Sequence, residues 1–100
     1  MAFLVALTIQ VHLPDNASLK GKRKELLAIR SGLSRRFGAT VAEVDDHDLW
    51  QRATLAAGLV ARSAGELEQA ADGIERYLLA RCPGGVTVER RLVSFTDLDD

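Results

Sequence analysis

The period of the hydrophobic pattern switches repeatedly along this chain, and the order of the switches restricts the fold more than any other feature. From Ala2 to Leu13 apolar side chains fall at every second position: Phe3, Val5, Leu7, Ile9, Val11 and Leu13, with Thr8, Gln10 and His12 between them. Alternation of this kind is the mark of a half-buried strand. Pro14-Asp15-Asn16 breaks it. Ser18 then suits the N-cap of a helix running to about Phe37. Its apolar stripe is Leu19, Leu26, Ile29 or Arg30, Leu33 and Phe37, with Leu27 at the margin, a period of ~3.6. Arg35 and Arg36 sit in the last turn, where the helix dipole favours cations, and Gly38 suits the residue beyond it.

Ala39–Asp45 reads as a short, half-polar strand, Asp46–Leu49 as a turn, and Trp50–Arg62 as a third strand. Ala53, Leu55, Ala57, Leu59 and Ala61 share one face of that strand. Ser63-Ala64-Gly65-Glu66 matches a capping box, in which serine and glutamate each satisfy an orphan amide. The helix that follows carries Leu67, Ala70, Ala71, Ile74, Tyr77 and Leu78 as its core stripe, and Cys82-Pro83-Gly84-Gly85 ends it. Val86–Phe95 is the last strand. The order is β-α-β-β-α-β. Right-handed crossovers then set both helices on one face of a four-stranded antiparallel sheet, an α+β fold of the ferredoxin-like kind. One such domain spans 1–96, and 97–100 is an acidic tail expected to fray. The face away from the helices would carry Leu4, Ala6, Thr8, Gln10, Thr54, Ala56, Gly58, Val60, Val93 and Phe95. It reads either as a homodimer surface, with room for a small ligand at its boundary, or as a solvated face with scattered apolar residues.

A chain of 100 residues is one domain with one modest core. Its net charge of −1 conceals a polarity. Leu19–Arg36 holds seven cations against one carboxylate, a net of +6, whereas Ser63–Asp100 holds four cations against eight carboxylates, a net of −4. Segregated charge of this kind orients an anionic partner even when the total is near zero. Cys82 is the sole cysteine, so no internal disulfide forms, and it reads as a small apolar residue at a helix end. Met1–Val5 lacks the basic start of a secretory signal, and no apolar run approaches the ~18 residues of a membrane span. The expectation is a cytoplasmic protein without a membrane partner.

Two strings stand out. In the first, Lys20, Lys22, Arg23, Lys24, Arg30, Arg35 and Arg36 decorate the first helix. Cations at a helix start work against the dipole, so helix stability does not account for them. They suit the phosphate backbone of a nucleic acid, or else form a solvated face. In the second, Glu43, Asp48, Trp50, Gln51 and Arg52 surround the expected hairpin. A turn at Asp46–Leu49 sets Asp45 opposite Trp50 and Glu43 opposite Arg52. That geometry predicts a Glu43–Arg52 ion pair on the open face, a turn capped by Asp48, and a Trp50 ring packed over the sheet end for structure. The alternative is a recognition patch, because exposed Trp and Arg are enriched at binding hot spots.

Asp45, Asp46 and Asp48 lack the glycine and bidentate glutamate of a calcium loop, so no metal site is assigned. No catalytic triad, zinc spacing, phosphate loop or dinucleotide fingerprint is present, and no enzyme activity or cofactor is expected. The inner strands lack the stacking aromatics with which an RRM reads RNA. An acylphosphatase would share the topology, but Pro14-Asp15-Asn16 replaces the glycine loop that would cradle the phosphate.

Taken together, Ser18-Leu19-Lys20-x-Lys22-Arg23, Ala42-Glu43-Val44 and Asp48-x-Trp50-Gln51-Arg52 resemble the YlxP-like family of small bacterial proteins across nearly the whole domain. The resemblance implies a ferredoxin-like fold and a role not yet characterised. Members are often encoded near translation and ribosome-maturation genes, which implies an RNA or ribosomal partner by association. The family has no assigned catalytic residues to carry over. The acidic Asp45-Asp46 and Asp97–Asp100 depart from its pattern.

Overall fold

The computed structural model describes residues 1–98. The elements run β1 (Phe3–His12), α1 (Leu19–Phe37), β2 (Thr40–Asp45), β3 (Arg52–Ala61), α2 (Ala64–Arg81) and β4 (Val86–Ser94), and a 3-10 turn at Phe95–Leu98 follows. The strands form one antiparallel sheet in the order β2-β3-β1-β4, the ferredoxin-like arrangement. Phe95, expected to continue the last strand on the open face, instead begins the 3-10 turn, where its N–H donates to the Ala2 carbonyl. Asp97 lies in that turn, and the rest of the expected tail, Asp99 and Asp100, lies outside the described residues.

The local signals act largely as the sequence predicts, although the Glu66 carboxylate does not return the expected bond to the Ser63 N–H. Ser18 Oγ accepts from the Gly21 N–H at 3.0 Å and closes the start of α1. Gly38 ends it at φ 73°, a left-handed conformation in which a β-carbon would be strained. Ser63 Oγ accepts from the Glu66 N–H at 3.4 Å at the start of α2.

Val5, Leu7, Ile9 and Val11 of β1 and Ala53, Leu55, Ala57 and Leu59 of β3 are buried beneath the helices. Leu26, Ile29 and Leu33 of α1 and Leu67, Ala71, Ile74 and Leu78 of α2 close the core from above. Glycines let the two helices approach. A β-carbon on Gly32 would collide with the Tyr77 hydroxyl, and one on Gly73 would come within 2.8 Å of Phe37. Phe37 and Tyr77 meet edge to face at 6.3 Å, and the Arg36 guanidinium stacks 4.8 Å from the Tyr77 ring centre.

On β4, Arg90 lies opposite Leu7 and therefore points to the helix side. It reaches Glu68 at 3.3 Å, Asp72 at 2.9 Å and Glu75 at 3.1 Å on α2, which keeps its guanidinium charged and ties the edge strand to the helix. The spacing of the three carboxylates, one face of a helix, is the signal that could have located this arginine.

Candidate functional site

The hairpin between β2 and β3 departs from its expected register. Glu43 lies opposite Leu55 and Asp45 opposite Thr54, so one extra residue bulges out of β2. The connecting loop runs from Asp46 to Gln51, and β3 begins at Arg52. The shift carries Glu43 from the open face to the helix face, because side chains alternate with period 2. The expected Glu43–Arg52 pair is therefore absent, and Asp45 does not face Trp50. The loop is closed by the Leu49 N–H to the Asp46 carbonyl at 3.1 Å. Asp45 performs the capping expected of Asp48: its Oδ1 accepts from the Asp46 N–H at 2.8 Å.

On the helix face Glu43 meets Lys22. The Lys22 side chain is 2% exposed, and its Nζ lies 2.9 Å from Glu43 Oε2. The two charges are in direct contact, and the ammonium also donates to the Asp46 carbonyl. Lys22 is thereby withdrawn from the expected phosphate-binding set. Arg52 pairs with Asp46 at 3.3 Å instead of Glu43. Thr54 Oγ1 donates to Asp46 Oδ2 at 2.6 Å, and this bond, helped by Arg52 and Lys22 and opposed by burial, holds the Asp46 carboxyl below its ordinary range. Asp46 takes φ 63°, a left-handed conformation that aspartate tolerates through its side-chain bonds.

A second set of bonds joins this loop to the β1–α1 connection. Asn16 Nδ2 donates to the Trp50 and Ser18 carbonyls. Gln51 Nε2 donates to the Pro14 carbonyl at 3.0 Å, and the Leu13 N–H donates to the Gln51 carbonyl at 2.8 Å. Three strings far apart in sequence thus become one cluster: the Ser18–Arg23 helix start, the Glu43 strand and the Asp48–Arg52 loop. Their roles differ from the expected ones. Glu43, Gln51 and Arg52 hold the structure together. Trp50, expected to pack over the sheet end, is 52% exposed. With His12, Asp48, Leu49, Gln51 and Arg52 it lines a shallow hollow of about 660 Å³. Leu49 and Asn16 were not singled out from sequence. The adjacency of two apolar side chains inside a charged loop was the available signal.

The other six cations of the first string, Lys20, Arg23, Lys24, Arg30, Arg35 and Arg36, are exposed. Lys20, Lys24 and Arg35 project away from the core. Arg30 and Arg35 line a groove of about 780 Å³ between α1 and the β2 edge. Among the described residues none of the six has a carboxylate within ion-pair distance. The one carboxylate of this segment, Glu25, is turned towards Arg81 at 3.3 Å.

Cys82 is buried, and desolvation, with the Glu25 charge, pushes its thiol up, away from a nucleophilic thiolate. Among the described residues no group of His, Cys, Asp and Glu converges to hold a metal, and no helix is long and apolar enough to cross a membrane.

The comparisons with known proteins agree on the fold. The de novo designed protein Foldit4 superposes with a TM-score of 0.59 at 13% identity, covering 94% of this chain and 98% of that one. SnoaB, a cofactor-independent oxygenase from Streptomyces nogalater, superposes with a TM-score of 0.52 at 13% identity, over 91% of each chain. The Bacillus subtilis YXEP protein, a dinuclear metal binding peptidase of the M20 family, gives 0.59 at 13% identity, over 95% of this chain and 26% of that one. At such identities the likeness is one of fold alone. No curated protein matches the sequence. The family described as "Protein of unknown function (DUF503)" matches residues 4–91, and the chain belongs to that family.

Proposed function

We propose that this protein is a YlxP-like, cytoplasmic, non-enzymatic binding module that grips structured RNA, free or within a ribosomal particle, through α1. One observation carries the reading: Lys20, Arg23, Lys24, Arg30 and Arg35 are exposed on one helix with no carboxylate partner among the described residues. They span ~22 Å at 1.5 Å per residue, long enough to follow several phosphates. Each cation that replaces a condensed counterion gains entropy, so affinity falls as salt rises. The test is binding of an RNA hairpin across a salt series by the wild type and by a Lys20→Gln/Arg23→Gln/Lys24→Gln variant. The variant is expected to bind more weakly whatever the RNA sequence, with a log–log salt slope shallower by about 3. Unchanged affinity, or wild-type binding indifferent to salt, refutes the reading.

A second reading is a homo-oligomer formed through the open sheet face. Its support is Val60, 62% exposed, opposite Leu4 and next along that face to Gly58, which has no side chain to cover it. Sedimentation as a monomer at tens of micromolar removes it.

A further inference from the structure

The Leu49–Trp50 hollow has properties unlike those of α1. Leu49 is 43% and Trp50 52% exposed, side by side on the loop between β2 and β3. Adjacent apolar side chains rimmed by polar residues are the usual form of a contact surface. The loop is also pre-organised. Asn16 donates to the Trp50 carbonyl, Gln51 Nε2 donates to the Pro14 carbonyl, and the Leu49 N–H closes onto the Asp46 carbonyl. A ligand seated here would freeze little chain, which is the condition under which a small apolar contact yields measurable affinity.

The charge around the hollow selects the occupant. Asp48 lines it, and Asp45 stands at the root of the loop. Both are exposed and have no cation within ion-pair distance among the described residues. The nearest guanidinium, Arg52, is engaged with Asp46. A phosphate chain would meet uncompensated carboxylates here, so a stacked nucleotide is disfavoured. A cationic segment would find complementary charge around an apolar centre, the anatomy of a protein-binding hot spot.

We infer that the Leu49–Trp50 hollow docks a basic peptide segment of a protein partner, with one apolar side chain seated against the Trp50 ring. This second surface is independent of RNA binding by α1 and opposite to it in charge. A protein that binds RNA with α1 would present the hairpin to a basic protein.

The test uses the full chain and an array of synthetic peptides of about 12 residues. One set carries Lys and Arg with a single Leu, Ile or Phe, a second has the same cations without the apolar residue, and a third replaces the cations with Asp and Glu. Because Trp50 is the only tryptophan, its fluorescence reports occupancy directly. The first set is expected to bind and to shift the emission. Trp50→Ala should weaken that binding about tenfold. Leu49→Ser should weaken it too, and it leaves the Trp50 ring in place should Trp50→Ala disturb the loop. Asp48→Asn and added salt should weaken it by a smaller factor. A Lys24→Gln/Arg30→Gln/Arg35→Gln variant, which leaves Arg23 beside Asp48 in place, should bind the peptides as the wild type does, which separates this surface from α1. Preference for the acidic set, indifference to the apolar anchor, or full binding by Leu49→Ser and Trp50→Ala overturns the inference. So does quenching of Trp50 by a short adenosine RNA as strong as by the best peptide.

Discussion

Breaking the buried Lys22–Glu43 pair from one side should cost far more than removing it whole. At 2.9 Å and an effective dielectric of ~20, the gross attraction is about 6 kcal/mol. Most of that is offset by the desolvation of an ammonium only 2% exposed. The two residues are not equivalent. The Glu43 side chain is 21% exposed and can recover some hydration when its partner goes, whereas Lys22 would be left with the Asp46 carbonyl alone. Glu43→Gln should therefore destabilise by roughly 3 kcal/mol, and Lys22→Met by somewhat less. In a domain of this size 3 kcal/mol corresponds to a fall in Tm of roughly 12–20 °C. The double variant Lys22→Met/Glu43→Leu should return to within about 1 kcal/mol of wild type, because apolar side chains fill the site without a stranded charge. Urea unfolding followed by circular dichroism measures all four proteins, and the cycle isolates the coupling. Single variants within about 0.5 kcal/mol of wild type would refute the reasoning, and so would a double variant as unstable as the sum of the singles. The folded double variant should also bind RNA as the wild type does, since Lys22 is not among the exposed cations.

Trp50→Ala should be mild. About half of the ~250 Å² of a tryptophan is covered, and after allowance for what alanine still buries the loss is roughly 1–2 kcal/mol in denaturant unfolding, not the 3–5 of a buried ring. Gly32→Ala should destabilise despite a helix-propensity gain of ~1 kcal/mol, because the new methyl displaces Tyr77; a raised Tm would refute the close approach. Asp46 has a carboxyl pKa lowered in the folded state, so its contribution is present above the unfolded value near 3.8 and is lost as pH falls through the folded value. Carboxyl titration by NMR should find Asp46 below that ordinary value, and Thr54→Val should raise it; an Asp46 that titrates at or above it contradicts the hydrogen-bond assignment.

What the sequence determined by itself is the set of features that depend on neighbours along the chain. The Ser18 and Ser63 caps, the Gly38 stop and the six elements in order rest on contacts within a few residues, where spacing fixes geometry. The ferredoxin-like sheet follows from that order because handed crossovers leave few other ways to bury two helices on four strands. The core lists of β1 and β3 were legible for the same reason: Val5 to Val11 and Ala53 to Leu59 alternate without interruption. The basic segment of α1 was legible as composition, but not which of its members was free.

The tertiary structure decided the hairpin and the roles of its residues. A single bulged residue in β2 leaves no mark in the hydrophobic pattern, because Thr40–Asp45 is half polar and reads equally well in either register. That residue, with a loop longer than the expected turn, moved Glu43 to the opposite face, buried Lys22 against it and gave Arg52 to Asp46. Trp50 then projects from a loop fastened by Asn16 and Gln51, two residues whose partners are backbone carbonyls more than thirty positions away. Backbone carbonyls are the same at every position, so no side-chain pattern announces which of them a distant amide will find; only the assembled chain brings donor and acceptor together.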